Sequence, residues 1–95
     1  MSKKKKFYVV VYDIRADRSR DKVSKLLEKY GIRVNYSVFE CLFTEKQLLS
    51  VQEKVDRIIN KRCDAVIYYH ICLDCYTKII YQPRRIVSPK LVDVV

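Results

Sequence analysis

The run Phe7-Tyr8-Val9-Val10-Val11-Tyr12 holds only β-branched and aromatic residues, and Asp13 ends it. Continuous apolar runs of this length read as a central strand, buried on both faces or set against a second copy. A polar connection follows over 14–17. Then Val23, Leu26, Leu27 and Tyr30 recur at helical spacing. Asp17 or Ser19 can cap that helix, and Gly31, the sole glycine, is read as its stop. From Arg33 to Phe43 the pattern turns strand-like. Val34, Tyr36 and Val38 alternate, and Phe39, Cys41 and Phe43 continue one residue out of phase. The slip predicts a bulge or tight turn near Phe39-Glu40.

Thr44 and Gln47 have the spacing of a capping box. Leu48, Val51, Val55, Ile58 and Ile59 then line the inner face of a second helix ending near Lys61. Residues 65–71 form another β run, and 77–81 a further candidate strand. Pro83 and Pro89 punctuate a tail in which Ile86-Val87 and Leu91-Val92 can add short edge strands. The predicted fold is therefore α+β: a ferredoxin-like βαββαβ sandwich with an extra C-terminal β-strand. All 95 residues fit one domain, with a core over 7–81 and a tail over 82–95 available for dimer or partner docking. So small a single-layer sheet often completes its core by pairing with a copy of itself, so a homodimer is expected.

Charge narrows the choice of partner. Twenty Lys and Arg residues against 11 Asp and Glu give a formal charge of +9. A field of that strength on a small domain attracts a polyanion. Membrane is not the expected surface, because no apolar segment is long enough to span and no basic amphipathic helix presents an aromatic face. The lysines before Phe7 resemble a signal start, but the apolar run is too short and no cleavage site follows. A cytoplasmic protein with reduced thiols is expected.

The positive charge is organised. On an ideal helix Arg18, Lys22, Lys25 and Lys29 fall within about 60° of one another, about 120° from the apolar stripe. Such a stripe is either a solvated face or a track for phosphates, and its uniform sign favours phosphate contact. Arg20 projects elsewhere, toward the Asp13 loop or a partner. Arg15 flanks Asp13, and Arg33 lies just past Gly31. Asp13 itself, at the end of an apolar strand, either caps the following turn or pairs with its copy across a twofold axis to hold a hard cation against a phosphate. The strand tyrosines can pack or stack on bases, and packing is the commoner use. Cys72-Leu73-Asp74-Cys75 with His70 is half a zinc site, and Cys63 lies at the other end of the strand. With one histidine and one glycine, triad chemistry and a glycine-rich phosphate loop are excluded.

Three segments carry a family resemblance: Val9-Val10-Val11-Tyr12-Asp13-Ile14, Arg33-Val34-Asn35-Tyr36-Ser37-Val38-Phe39-Glu40-Cys41, and Asp64-Ala65-Val66-Ile67-Tyr68-Tyr69. Together they resemble the CRISPR-associated protein two family, the small subunit that partners the integrase during spacer acquisition. The resemblance implies a ferredoxin-like homodimer whose C-terminal strand pairs with the partner's sheet. It places the family's metal-binding aspartate at Asp13, for Mg2+ or Mn2+ shared at the dimer axis, with Tyr12 beside it in a catalytic role. Arg20, Lys22, Arg33, Ser37 and Phe39 fall at positions associated with the nucleic-acid cleft. Lys22, Asn35 and Cys41 depart from the arginine, glutamine and glycine common there.

The resemblance implies two activities. One is a metal-dependent endonuclease acting on single-stranded RNA or double-stranded DNA. The other is a non-catalytic scaffold holding duplex DNA for the CRISPR integrase. A generic RNA-binding α/β module is a third reading, opposed by the buried character of the first strand.

Overall fold

The structure, a computed structural model, describes residues 4–82. The elements are β1 (Lys6–Asp13), α1 (Asp17–Glu28), β2 (Gly31–Asn35), β3 (Val38–Phe43), α2 (Glu45–Ile58), β4 (Ala65–Ile71) and a short α3 (Leu73–Tyr76). The apolar run 7–12 becomes the centre of a four-stranded sheet of order β2-β3-β1-β4, with every pairing antiparallel. β3 thus lies between the two parallel strands β1 and β2. That is the split βαβ arrangement of a ferredoxin-like fold.

Strand alternation divides β1 between two faces. Val10 and Tyr12 join Phe39, Cys41 and Phe43 of β3 against Val23, Leu26 and Leu27 of α1 and Val51 and Val55 of α2. Each such side chain, once buried, contributes about 1.5–3 kcal/mol. On the opposite face Phe7 and Leu42 form a smaller cluster with Val9, Ile71, Tyr76 and Ile79. Beyond that cluster the face is open: Ile67, beside Val11, is 46% exposed and Tyr69, beside Val9, is 51% exposed.

The capping box forms as the spacing requires. The Gln47 backbone N–H donates to Thr44 Oγ1 at 3.1 Å, and the Thr44 N–H donates to Gln47 Oε1 at 2.9 Å. α2 ends at Ile58, earlier than Lys61, because the backbone at Ile59 swings out to ψ 159°.

Four other expectations are corrected. The N-cap of α1 is Ala16, without a side-chain cap bond, rather than Asp17 or Ser19. Asp17 instead occupies the first turn, where it pairs with Arg20. The turn between β2 and β3 falls at Tyr36-Ser37, and the irregularity lies between Arg33 and Asn35, not at Phe39-Glu40. β3 runs unbroken through both of those residues, with Glu40 and Leu42 buried on one face and Phe39 and Cys41 on the other. The candidate strand 77–81 does not form. The Cys72 side chain accepts the Cys75 N–H and opens α3, whose Tyr76 ring meets Phe7 edge-on at 4.7 Å. The chain is thereby folded back onto the sheet face instead of extending its edge. The expected strands at 86–87 and 91–92 lie outside the described residues.

Gly31 has a different duty from the expected one. α1 stops at Glu28, and Gly31 opens β2 opposite Cys41. A Cβ at Gly31 would stand 2.0 Å from the Glu40 carbonyl oxygen and 2.7 Å from the Cys41 Cα. Both are backbone atoms of a central strand and cannot swing aside. Gly31→Ala is expected to lower the unfolding free energy by about 3 kcal/mol in urea titration. Lys29→Ala, nearby and exposed, is expected to change it by less than about 0.5 kcal/mol.

Candidate nucleic-acid and metal site

β1 delivers Asp13 to the end of the sheet, where its carboxylate is exposed. Asp13 opens onto a cleft of about 590 Å³ lined also by Tyr12, Arg20, Asp21, Arg33 and Ser37. Three elements converge there: the end of β1, the first turns of α1, and the β2–β3 hairpin.

The expected site residues separate into anchored and presented groups. Tyr12 is anchored: it is only 2% exposed, and its hydroxyl donates to the Tyr36 carbonyl at 3.1 Å. Its backbone N–H donates to the Ser37 carbonyl at 3.0 Å. The Tyr12 hydroxyl thus holds the hairpin tip against β1. Phe39 is fully buried in the core cluster with residues of α1 and α2. Its ring supports the Arg33 guanidinium, 5.7 Å above it. Arg33 also donates to the Ser24 hydroxyl on α1. Arg20 donates to the Ile14 carbonyl at 2.8 Å and pairs with Asp17. It does project toward the Asp13 loop, and there it satisfies carbonyls of the turn that follows the strand.

Arg15, Arg18, Lys22, Lys25 and Lys29 are exposed. The last four occupy the α1 face opposite Val23, Leu26 and Leu27, which pack inward. Ser37 is half-buried at the hairpin tip beside Tyr36, which is 87% exposed.

One further residue, Asp64 just before β4, shapes the site. The Asp64 carboxylate accepts the Asn60 N–H at 2.9 Å and the Arg15 N–H at 3.1 Å. It thus joins the α2–β4 loop to the turn just after Asp13. Asn60 Oδ1 in turn accepts the Arg62 N–H at 3.0 Å, an Asx-type turn. The Asn-x-x-x-Asp spacing before a strand was the available signal. Asp21 is the second addition, a carboxylate facing the cleft from α1.

A carboxylate at an open, cation-lined cleft is the right donor for a hard divalent ion. Such an ion takes about six oxygen ligands. Among the described residues no group of three or more His, Cys, Asp or Glu side chains converges to hold a metal. One chain therefore fits a magnesium-type ion as part of a site that needs further ligands. The cysteines do not enter it. Burial, with the Glu40 carboxylate second, pushes the Cys41 thiol up to about 12.

Comparison with known proteins agrees with the fold. The family model of CRISPR associated protein Cas2 matches residues 6–79. The chain belongs to this family. The CRISPR-associated endoribonuclease Cas2 3 of Synechocystis sp. is 42% identical over 62 residues, covering 65% of this chain and 67% of the relative. The crystal structure of Streptococcus pyogenes Cas2 superposes with a TM-score of 0.73 at 25% identity, covering 79% of this chain and 96% of that one. A chain of a partial Cas6-RT-Cas1–Cas2 complex has a TM-score of 0.70 at 32% identity, covering 80% of this chain and 83% of its own. Among the described residues no helix is long and apolar enough to cross a membrane.

The Asp64 tie has a pH signature. Its N–H donors, Asn60 first and Arg15 second, hold the carboxyl below its ordinary value of 3.8. A depressed folded-state pKa contributes stability above the unfolded value, which is lost as pH falls through the folded one. The thermal midpoint is therefore expected to drop between pH 5 and pH 2.5 more in the native protein than in Asp64→Asn, which cannot titrate there. Equal drops in the two proteins would show that Asp64 carries no such linkage.

Proposed function

We propose that the chain is a CRISPR adaptation subunit that acts as a homodimer, binds the backbone of nucleic acid, and docks the CRISPR integrase. In this reading Asp13 from each copy contributes to one Mg2+ or Mn2+ centre for phosphodiester cleavage. The observation that carries it is a shared face. Alternation along β1 puts Asp13 on the same side of the sheet as Val9 and Val11, beside the half-exposed Ile67 and Tyr69. A second copy covering that apolar surface brings its own Asp13 toward the first and supplies ligands that one chain lacks. The integrase partner is supported by the resemblance to the Cas2 chain of the Cas1-containing complex. The nuclease activity is supported by the name of the Synechocystis relative.

The chain's own residues do the positioning. Arg20 and Asp64 fix the turn after Asp13, and Tyr12 fixes the hairpin tip opposite it. Arg15, Arg18, Lys22, Lys25 and Lys29 supply charge for the flanking phosphates, on single-stranded RNA or on double-stranded DNA. Ser37 lies at the cleft rim within reach of a bound strand. When bound, the divalent ion supplies charge neutralisation at the scissile phosphate and an activated water.

A second reading, a scaffold that holds duplex DNA without cutting it, is favoured by one observation. The α1 stripe is fully presented, whereas a single chain holds no complete metal site among the described residues. The two readings separate on Asp13. Asp13→Asn is expected to abolish divalent-dependent cleavage of single-stranded RNA and duplex DNA while leaving duplex affinity within about twofold. Persistence of cleavage in that variant would remove Asp13 from the mechanism. Under the scaffold reading the native protein cuts neither substrate at any Mg2+ or Mn2+ concentration.

Replacing Arg18, Lys22, Lys25 and Lys29 together by Ala is expected to weaken duplex binding under either reading. It should also make the log–log salt dependence shallower by about 3.6 units per protomer. An unchanged salt slope would show that the α1 stripe is merely solvated.

A further inference from the structure

Cys72 and Cys75 lie outside the cleft, on the exposed turn that follows β4. Cys72 is the N-cap of α3, and its Sγ accepts the Cys75 backbone N–H at 3.3 Å. A separation of three residues on one helical turn sets the two Cα atoms about 5 Å apart, within the 4.4–6.8 Å window of a disulfide. The Cys75 backbone is thus already held against the Cys72 sulfur, in a geometry that can accept the bond. The carboxylate between them in sequence is drawn off: Asp74 pairs with Lys78 at 3.0 Å.

We infer that Cys72 and Cys75 form a redox-active dithiol that closes to an internal disulfide by exchange with a small-molecule disulfide such as oxidised glutathione. Cys72 is the attacking group, because its sulfur receives the Cys75 N–H at the start of α3. Interaction with Cys75, side chain first and backbone N–H second, lowers its pKa, while that of Cys75 is raised by the same pairing. The Cys72 thiolate attacks one sulfur of the oxidant, whose S–S bond breaks and releases one thiolate. Cys75 then loses its proton and attacks Cys72 in the mixed disulfide, releasing the second thiol. One external disulfide is reduced to two thiols as the protein dithiol is oxidised.

The other two cysteines differ in kind. Cys41 is fully buried in β3. Cys63 is exposed, at the far end of β4, and its thiol donates to Asp64 at 3.5 Å. Neither has a second thiol in contact, so Cys63 can form only a mixed adduct. The dithiol stands beside the docked Tyr76–Phe7 pair, where the chain leaves the sheet. Closure therefore fixes the turn without disturbing the cleft at the opposite end of β1.

The test incubates the Cys63→Ser protein with oxidised glutathione, traps free thiols with iodoacetamide, and reads the peptide 63–78 by mass spectrometry. The expected product has lost two hydrogens and carries neither glutathione nor carbamidomethyl on Cys72 and Cys75. Dithiothreitol should restore two alkylatable thiols. In the Cys63→Ser, Cys75→Ser double variant the reaction is expected to stop as a glutathione adduct on Cys72. In the Cys63→Ser, Cys72→Ser variant, Cys75 should react several-fold more slowly. Stable glutathione adducts on both cysteines of the Cys63→Ser protein, or a chain-to-chain disulfide, would overturn the proposal. So would the absence of closure at a glutathione concentration that modifies Cys63 in the native chain.

Discussion

Strand β1 is hydrogen-bonded along both edges, to β3 over Lys6–Val11 and to β4 over Phe7–Asp13. A strand so placed has no free edge, and its side chains must satisfy two faces at once. The run of aromatic and β-branched residues meets that demand. Val10 and Tyr12 serve the layer under the helices, and Phe7 and Val9 serve the layer under α3. Because β1 is central, its last residue emerges in the middle of the sheet end. That position lets α1 and the β2–β3 hairpin reach Asp13 from separate directions, and lets Asp64 hold the turn beyond it.

Charge near Asp13 falls into two populations that composition alone cannot distinguish. Arg20 and Arg33 are spent inside the chain, one on loop carbonyls and an aspartate, the other on a serine hydroxyl and an aromatic face. Planar guanidinium groups suit such multi-partner duties, which a lysine could not reproduce. The exposed stripe on α1 is mostly lysine, whose mobile ammonium group suits backbone charge rather than fixed geometry. Arg20 and Arg33 keep the cleft's shape, and the exposed lysines with Arg15 and Arg18 supply its field.

The parts of the fold set by local pattern were legible in the chain. The apolar run of β1, the Thr44–Gln47 box and the helical spacing of Val23, Leu26 and Leu27 each encode their structure within a few residues. The family segments, read together, pointed to the family to which the chain belongs. What failed depended on tertiary partners. Residues 77–81 look like a strand until Tyr76 finds Phe7. The phase slip before Phe39 was visible, but its position was set by the Tyr12 hydroxyl bonding to the Tyr36 carbonyl. Phe39 entered the cleft set through the family resemblance, and alternation along β3 turns its ring toward the helix layer. The Asn60–Asp64 spacing displays the local half of the Asp64 tie, but its bond to Arg15 spans 49 residues and has no local pattern.

Tyr12 and Asp13 are consecutive residues on a strand of period two, so one turns inward to clamp the hairpin and the next faces out into the cleft. Their duties are assigned by parity. Insertion or loss of a single residue within β1 would exchange them, burying the carboxylate and exposing the clamp, even if every hydrogen bond of the ladder re-formed. The length of this strand can therefore change only in even steps.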